Sequence, residues 1–236
     1  MNSRVILVSD DRSSLRSPDT LLWPDAACMR GIHTGEWTAH IFEYAMSFEG
    51  NMTQVRELAA ANGVGVLHPH GALATDPPSL IVCDVDSTVT RTEAIDLLAE
   101  CAGNADEVRE ITARAMVGEL DFTQSLYARV RCLEGLHIGA LEEAWKATVI
   151  TPGTAELVAA AHDVGAAVGL VSGGFTAIVD PLAEQIRADF AASNELEIVD
   201  NHLTGRVVGD IIDRAAKATW LLSLIHISEP TRRYAI

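Results

Sequence analysis

The chain has 236 residues, 48% of them hydrophobic. That is enough apolar material for a sizeable core, it excludes global disorder, and the length suits one to two domains. The net charge of −16, spread over residues 1–78 (−4) and 79–236 (−12), argues against nucleic acid or an anionic membrane as a partner, because both demand a cationic surface.

In chain order, the apolar run 4–8 predicts a strand, and residues 38–48 predict another. From Met52, the apolar residues Val55, Leu58 and Ala59 recur at helical spacing until Asn62-Gly63 stops them. A short strand at 63–69 follows. Residues 69–78, with Pro69, Gly71, Pro77 and Pro78, read as a linker. Leu80–Cys83 is a continuous apolar run, as expected of a buried parallel strand. Residues 93–146 lack proline and predict several helices. Val108, Ile111, Ala115 and Met116 share one helical face, and Leu126, Val130 and Leu133 another. A helix over about 155–163, a strand over 166–171 and a helix opening at Ser172-Gly173-Gly174, with Ile178, Leu182 and Ile186 on one side, complete the pattern. The alternation of strand and helix implies an α/β fold with a parallel sheet.

Cys28, Cys83, Cys101 and Cys132 show no CxxC spacing, so reduced thiols are expected. No 18-residue apolar stretch and no signal-peptide core is present, and a cytoplasmic location is expected.

Three features carry chemistry. Asp84-Val85-Asp86-Ser87-Thr88 follows an apolar strand, the place where open α/β sheets bind ligands. Two carboxylates there repel unless a cation joins them, and hard oxygen ligands suit Mg2+. An exposed acidic turn has the same sequence. Ser172-Gly173-Gly174 offers a hydroxyl and unhindered N–H groups to an anion, although a plain turn would look alike. Lys217, one of only two lysines, supplies a cation that could equally be solvated. Together the three compose a phosphoryl-transfer site.

This ordered set resembles the haloacid dehalogenase superfamily of phosphatases. The stretches 82–100 (VCDVDSTVTRTEAIDLLAE), 116–130 (MVGELDFTQSLYARV) and 170–175 (LVSGGF) are similar to its phosphoserine phosphatase family. The resemblance spans about residues 79–220. It implies a Rossmann-like parallel sheet with a helical cap at about 93–148, preceded by a small α+β ACT-like regulatory segment at 1–78. It also implies Mg2+-dependent hydrolysis of O-phospho-L-serine, the last step of serine biosynthesis, through an aspartyl-phosphate. Asp84 would be the nucleophile and Asp86 the general acid and base; Lys217 would neutralise charge. Ser172 and Gly173 would hold phosphate. Glu93 and Arg129 would read the ammonium and carboxylate, and Met116 and Phe122 would shield the pocket. Asp84 and Asp86 would bind the metal. The expected partner is the small-molecule substrate, with a homodimer as a further expectation. Two other readings stay open: action on another small phosphorylated metabolite, and a non-catalytic amino-acid-binding protein.

The sequence departs from that pattern after Lys217. A GDGxND-type motif, expected to complete the metal site, is absent. Gly209-Asp210-Ile211-Ile212-Asp213 precedes the lysine and lacks the asparagine, so Asp210 and Asp213 are not expected to bind metal. Residues 223–236 resemble translated adapter sequence and are expected to be a non-native tail on a core spanning 79–222, with the third metal ligand lying beyond a truncation. Little turnover is expected of the 236-residue polypeptide as it stands.

Overall fold

The computed structural model describes residues 4–9, 27–33, 38–43, 52–69, 71–213 and 215–220. The region 223–236 and the second half of the strand expected at 38–48 lie outside them. The chain divides into two compact units, Met1–Pro77 and Pro78–Ile236.

Among the described residues, the first unit holds a four-stranded antiparallel sheet and one α-helix. Its strands are β1 (Arg4–Ser9), β2 (Ala27–His33), β3 (Thr38–Glu43) and β4 (Gly65–Leu67), in the order β2-β3-β1-β4. Helix α1 (Met52–Ala61) packs Ala59 against Val5, Leu7 and Val64. Leu58, which shares that helical spacing, is exposed instead.

The second unit is built on the sheet β5-β6-β7-β8. Strands β5 (Leu80–Cys83), β6 (Ala167–Phe175) and β7 (Phe190–Val199) run parallel, and β8 (His202–Val208) returns antiparallel to β7. The hairpin β7–β8 turns on Asp200 and Asn201, both with φ near +55° (50° and 61°), as a two-residue type I′ loop requires. Strand β5 is parallel as expected but half-buried, since it edges the described sheet. Four helices follow β5 in the chain: α2 (Ala94–Ala102), α3 (Ala105–Met116), α4 (Phe122–Arg131) and α5 (Gly139–Ala147). Then come α6 (Thr154–Asp163) before β6 and α7 (Thr176–Ile186) before β7.

Two apolar clusters organise this unit. Val158, Val168, Leu170, Val179, Leu182 and Ile186 tie α6 and α7 to the sheet. Leu98, Val108, Leu126, Val130 and Leu133 form the core of the helical insertion and reach Phe175, Leu196 and Leu203 on the strands. Backbone bonds fix the insertion at both ends. Where the chain enters and leaves it, Arg91 N–H donates to the Val149 carbonyl (2.7 Å) and Thr151 N–H to that of Val89 (2.9 Å). At the hairpin, Gly135 N–H donates to Leu203 (2.8 Å), Leu203 N–H to Leu136 (2.8 Å) and Ile138 N–H to Asn201 (2.9 Å).

Candidate active site

The site forms where β5 and β6 end. After Cys83 the chain leaves the sheet in an irregular turn, 85–89, in which Ser87 takes a left-handed conformation (φ 56°). This turn sends Asp84 and Asp86 in different directions. Asp84 is exposed, and its Oδ1 accepts both the Val85 N–H (2.9 Å) and the Lys217 ammonium (2.7 Å). Asp86 is half-buried: Oδ1 accepts the Ala94 N–H at the start of α2 (3.0 Å), and Oδ2 accepts the Ser172 hydroxyl (3.3 Å). Burial pushes the Asp86 carboxyl above the usual range. Its two hydrogen bonds oppose that shift, and the charges of Glu93 and Asp84 add to it. Two neighbouring acids thus stand in unlike environments, one ion-paired and one biased to hold a proton, the arrangement that separates a nucleophile from a general acid.

Ser172, Gly173 and Gly174 lie in β6 rather than opening a helix; α7 begins at Thr176. The difference has a backbone cause. Strand β6 pairs with β7 up to Val171 and again at Phe175, and the three residues between leave the ladder. Ser172 is fully buried, and its Oγ accepts the Gly174 N–H (2.8 Å). A side chain at 174 would have to displace the acid: a Cβ there would stand 2.5 Å from Asp86 Oδ2 and 3.0 Å from Ser172 Oγ. At 173 a Cβ would meet the Phe122 ring at 2.7 Å.

A cavity of about 170 Å3 joins these parts. Asp84, Asp86, Glu93, Phe122, Arg129, Gly173 and Lys217 all line it, with Ile95, Leu126, Gly174 and Phe175. Glu93 comes from the approach to α2, where it accepts the Ser87 hydroxyl (3.2 Å). Phe122 and Arg129 lie seven residues apart on α4, hence on one face. That helix is fixed by a capping box between Asp121 and Gln124. Burial pulls the half-buried Arg129 guanidinium below its ordinary range, while Glu93, Asp96 and Asp86 pull it back.

Two residues singled out from the sequence do not line the cavity. Ser172 is fully buried and meets it through its bond to Asp86, whereas Met116 is 84% exposed. It is the last residue of α3, where the chain turns away at Gly118 (φ 81°), so the face it shares with Val108 has run out of neighbours. Asp213 has a structural task. Its carboxylate accepts the Ala216 N–H (2.7 Å) and its carbonyl the Lys217 N–H (2.8 Å), which caps the helical turn carrying Lys217.

The donor set suits Mg2+ in kind. Asp84 and Asp86 offer hard oxygens, and the Val85 and Lys217 bonds to Asp84 both fall on Oδ1, leaving Oδ2 for another ligand. Mg2+ ordinarily takes one or two carboxylates and completes its shell with water and phosphate oxygens. Among the described residues no group of three or more His, Cys, Asp and Glu is gathered for a metal ion, and no helix is long and apolar enough to cross a membrane.

The sequence profile of the haloacid dehalogenase-like hydrolases matches residues 81–235. A phosphoserine phosphatase of Streptomyces coelicolor is 49% identical over 163 residues, covering 69% of this chain and 40% of that protein. The chain therefore spans well under half the length of that curated relative. Among solved structures, a probable phosphoserine phosphatase from Vibrio cholerae in unliganded form superposes with a TM-score of 0.74 at 32% identity, covering 95% of this chain and 69% of that one. A phospho-aspartyl intermediate analogue of phosphoserine phosphatase superposes with a TM-score of 0.60 at 38% identity, covering 64% and 73%.

Proposed function

The chain belongs to the haloacid dehalogenase-like hydrolases, and on that premise we propose that it hydrolyses O-phospho-L-serine to L-serine and phosphate through an aspartyl-phosphate, at the low rate expected of these 236 residues alone. The observation that carries the proposal is the pairing of unlike acids in one cavity: Asp84 against Lys217, and Asp86 against Ser172. Relatives named as phosphoserine phosphatases, one of them solved as a phospho-aspartyl analogue, support the same reading.

In the first step the Asp84 carboxylate attacks phosphorus while the bond from phosphorus to the serine oxygen breaks. Asp86 delivers its proton to that oxygen as it leaves. In the second step Asp86, now a carboxylate, takes a proton from water. The water oxygen attacks phosphorus, the Asp84–phosphorus bond breaks, and free phosphate departs. Lys217, the Ser172 hydroxyl and the Gly173 N–H hold the phosphate oxygens and offset the charge that gathers on them. Arg129 grips the substrate carboxylate and Glu93 its ammonium, while Phe122 keeps water from the reacting group. The Asp84 carboxylate and the Asp86 main-chain carbonyl would hold Mg2+, whose contribution is to neutralise phosphate charge.

The test is a comparison of phosphoserine with phosphoethanolamine, which lacks the carboxylate. Replacing Arg129 by alanine is expected to lower kcat/KM for phosphoserine by about a hundredfold, the scale of one lost charged hydrogen-bond pair, and to leave phosphoethanolamine within a few-fold. Equal losses on both substrates would remove Arg129 from carboxylate recognition and phosphoserine from the proposal.

A further inference from the structure

The phosphate cradle and the lysine reach the cavity from separate parts of the chain, and one buried side chain joins them. Asn194, on β7, is 1% exposed and does not line the cavity. It stands beside the gap that Ser172, Gly173 and Gly174 leave in the β6–β7 ladder. Its Nδ2 donates to the Gly173 carbonyl (2.9 Å), and its Oδ1 accepts the Ile212 N–H (2.8 Å). The amide orientation is forced, since a carbonyl can only accept and an N–H can only donate.

Each bond leads into the reaction machinery. In a trans peptide the Gly173 carbonyl and the Gly174 N–H point oppositely. Holding the first aims the second at Ser172 Oγ (2.8 Å), which leaves the Ser172 proton for Asp86 Oδ2 (3.3 Å). On the other side, Ile212 precedes Asp213, the cap of the turn that sets Lys217 2.7 Å from Asp84.

The geometry points to Asn194 as the positioning residue that registers the Ser172–Gly174 phosphate cradle against Lys217. The inference rests on the phosphatase reading above for its substrate, but not for its first readout, which is the affinity for inorganic phosphate in Mg2+ buffer. Asn194→Leu keeps the approximate shape and loses both bonds. Asn194→Asp keeps the acceptor and can donate to Gly173 only while its acid is protonated. Thr176→Val is the control: it removes the Thr176 hydroxyl bond to the Asn194 carbonyl (2.9 Å) and spares the amide.

Asn194→Leu is expected to bind phosphate about tenfold more weakly than the native chain, the factor that one lost buried hydrogen bond carries. The deficit of Asn194→Asp, as a ratio to native at each pH, is expected to shrink between about pH 8 and about pH 5 as its acid takes up a proton. On phosphoserine, kcat/KM should fall about tenfold or more. Thr176→Val should stay within about threefold of native on every readout even if its melting temperature drops as far. If Asn194→Leu does not fold, the pH ratio of Asn194→Asp decides. Native-like phosphate affinity in Asn194→Asp at every pH, equal effects in Thr176→Val, or a native chain with no phosphate affinity would each overturn the inference. A native chain that binds phosphate yet leaves phosphoserine intact would remove the substrate reading alone, and the phosphate titrations would still judge Asn194.

Discussion

Replacing Gly174 by alanine places one methyl group against the general acid. Gly174 has no left-handed backbone to strain, so the effect is steric. The new Cβ would stand 2.5 Å from Asp86 Oδ2, where a carbon and an oxygen need about 3.3 Å. Asp86 must therefore retreat by about 0.8 Å, and its bond to Ser172, already 3.3 Å long, then passes out of range. A lost hydrogen bond to a charged group is worth about 1.5–3 kcal/mol, or roughly 10- to 150-fold in kcat/KM if Asp86 acts in the transition state. Overpacking would add about 1–3 kcal/mol of lost stability. The assay is kcat/KM for phosphoserine relative to the native chain, with thermal unfolding on the same preparations. A folded Gly174→Ala chain within about threefold of native kcat/KM would refute the claim that Asp86 must sit where Ser172 holds it.

Two further outcomes probe the scaffold. Leu98 is fully buried at the centre of the helical insertion, so Leu98→Ala should cost about 2–5 kcal/mol in denaturant unfolding, and a loss under about 1 kcal/mol would show that this cluster is not a close-packed core. Asp189 is held below the usual carboxylate range chiefly by the Val168 N–H (2.7 Å); burial opposes this, and His162 (3.0 Å) adds to it. Its contribution is therefore complete above the unfolded pKa near ~4 and is lost as pH falls through the lower folded value. The melting-temperature gap between native and Asp189→Asn should be constant from about pH 7 to about pH 5 and should close below about pH 4; a gap that widens in acid would contradict the assignment.

The parts of the fold that could be read in the sequence are those where local pattern and burial coincide. Leu126, Val130 and Leu133, and likewise Ile178, Leu182 and Ile186, fall on buried helix faces as their spacing predicts. Pattern failed where the environment decides. Met116 follows the same period as Val108, yet a helix end with nothing packed over it leaves it in solvent. Ser172-Gly173-Gly174 looks like a strand-to-helix turn, but the segment stays extended because Asn194 replaces the ladder bonds it gives up. The β7–β8 hairpin was legible in principle, because Asp200-Asn201 between two apolar-rich runs is a type I′ signal. Asn194 was not: a lone asparagine inside a strand gives no hint of the two partners that tertiary structure brings to it.

The central claim is that Asp84 becomes covalently phosphorylated. Mixing the protein with phosphoserine in Mg2+ buffer, quenching in acid and mapping peptides by mass spectrometry tests it directly. The account predicts one phosphoryl group on the peptide containing Asp84, removable by hydroxylamine and absent from Asp84→Asn. A phosphoryl group on Ser172, or one that persists in Asp84→Asn, would contradict it.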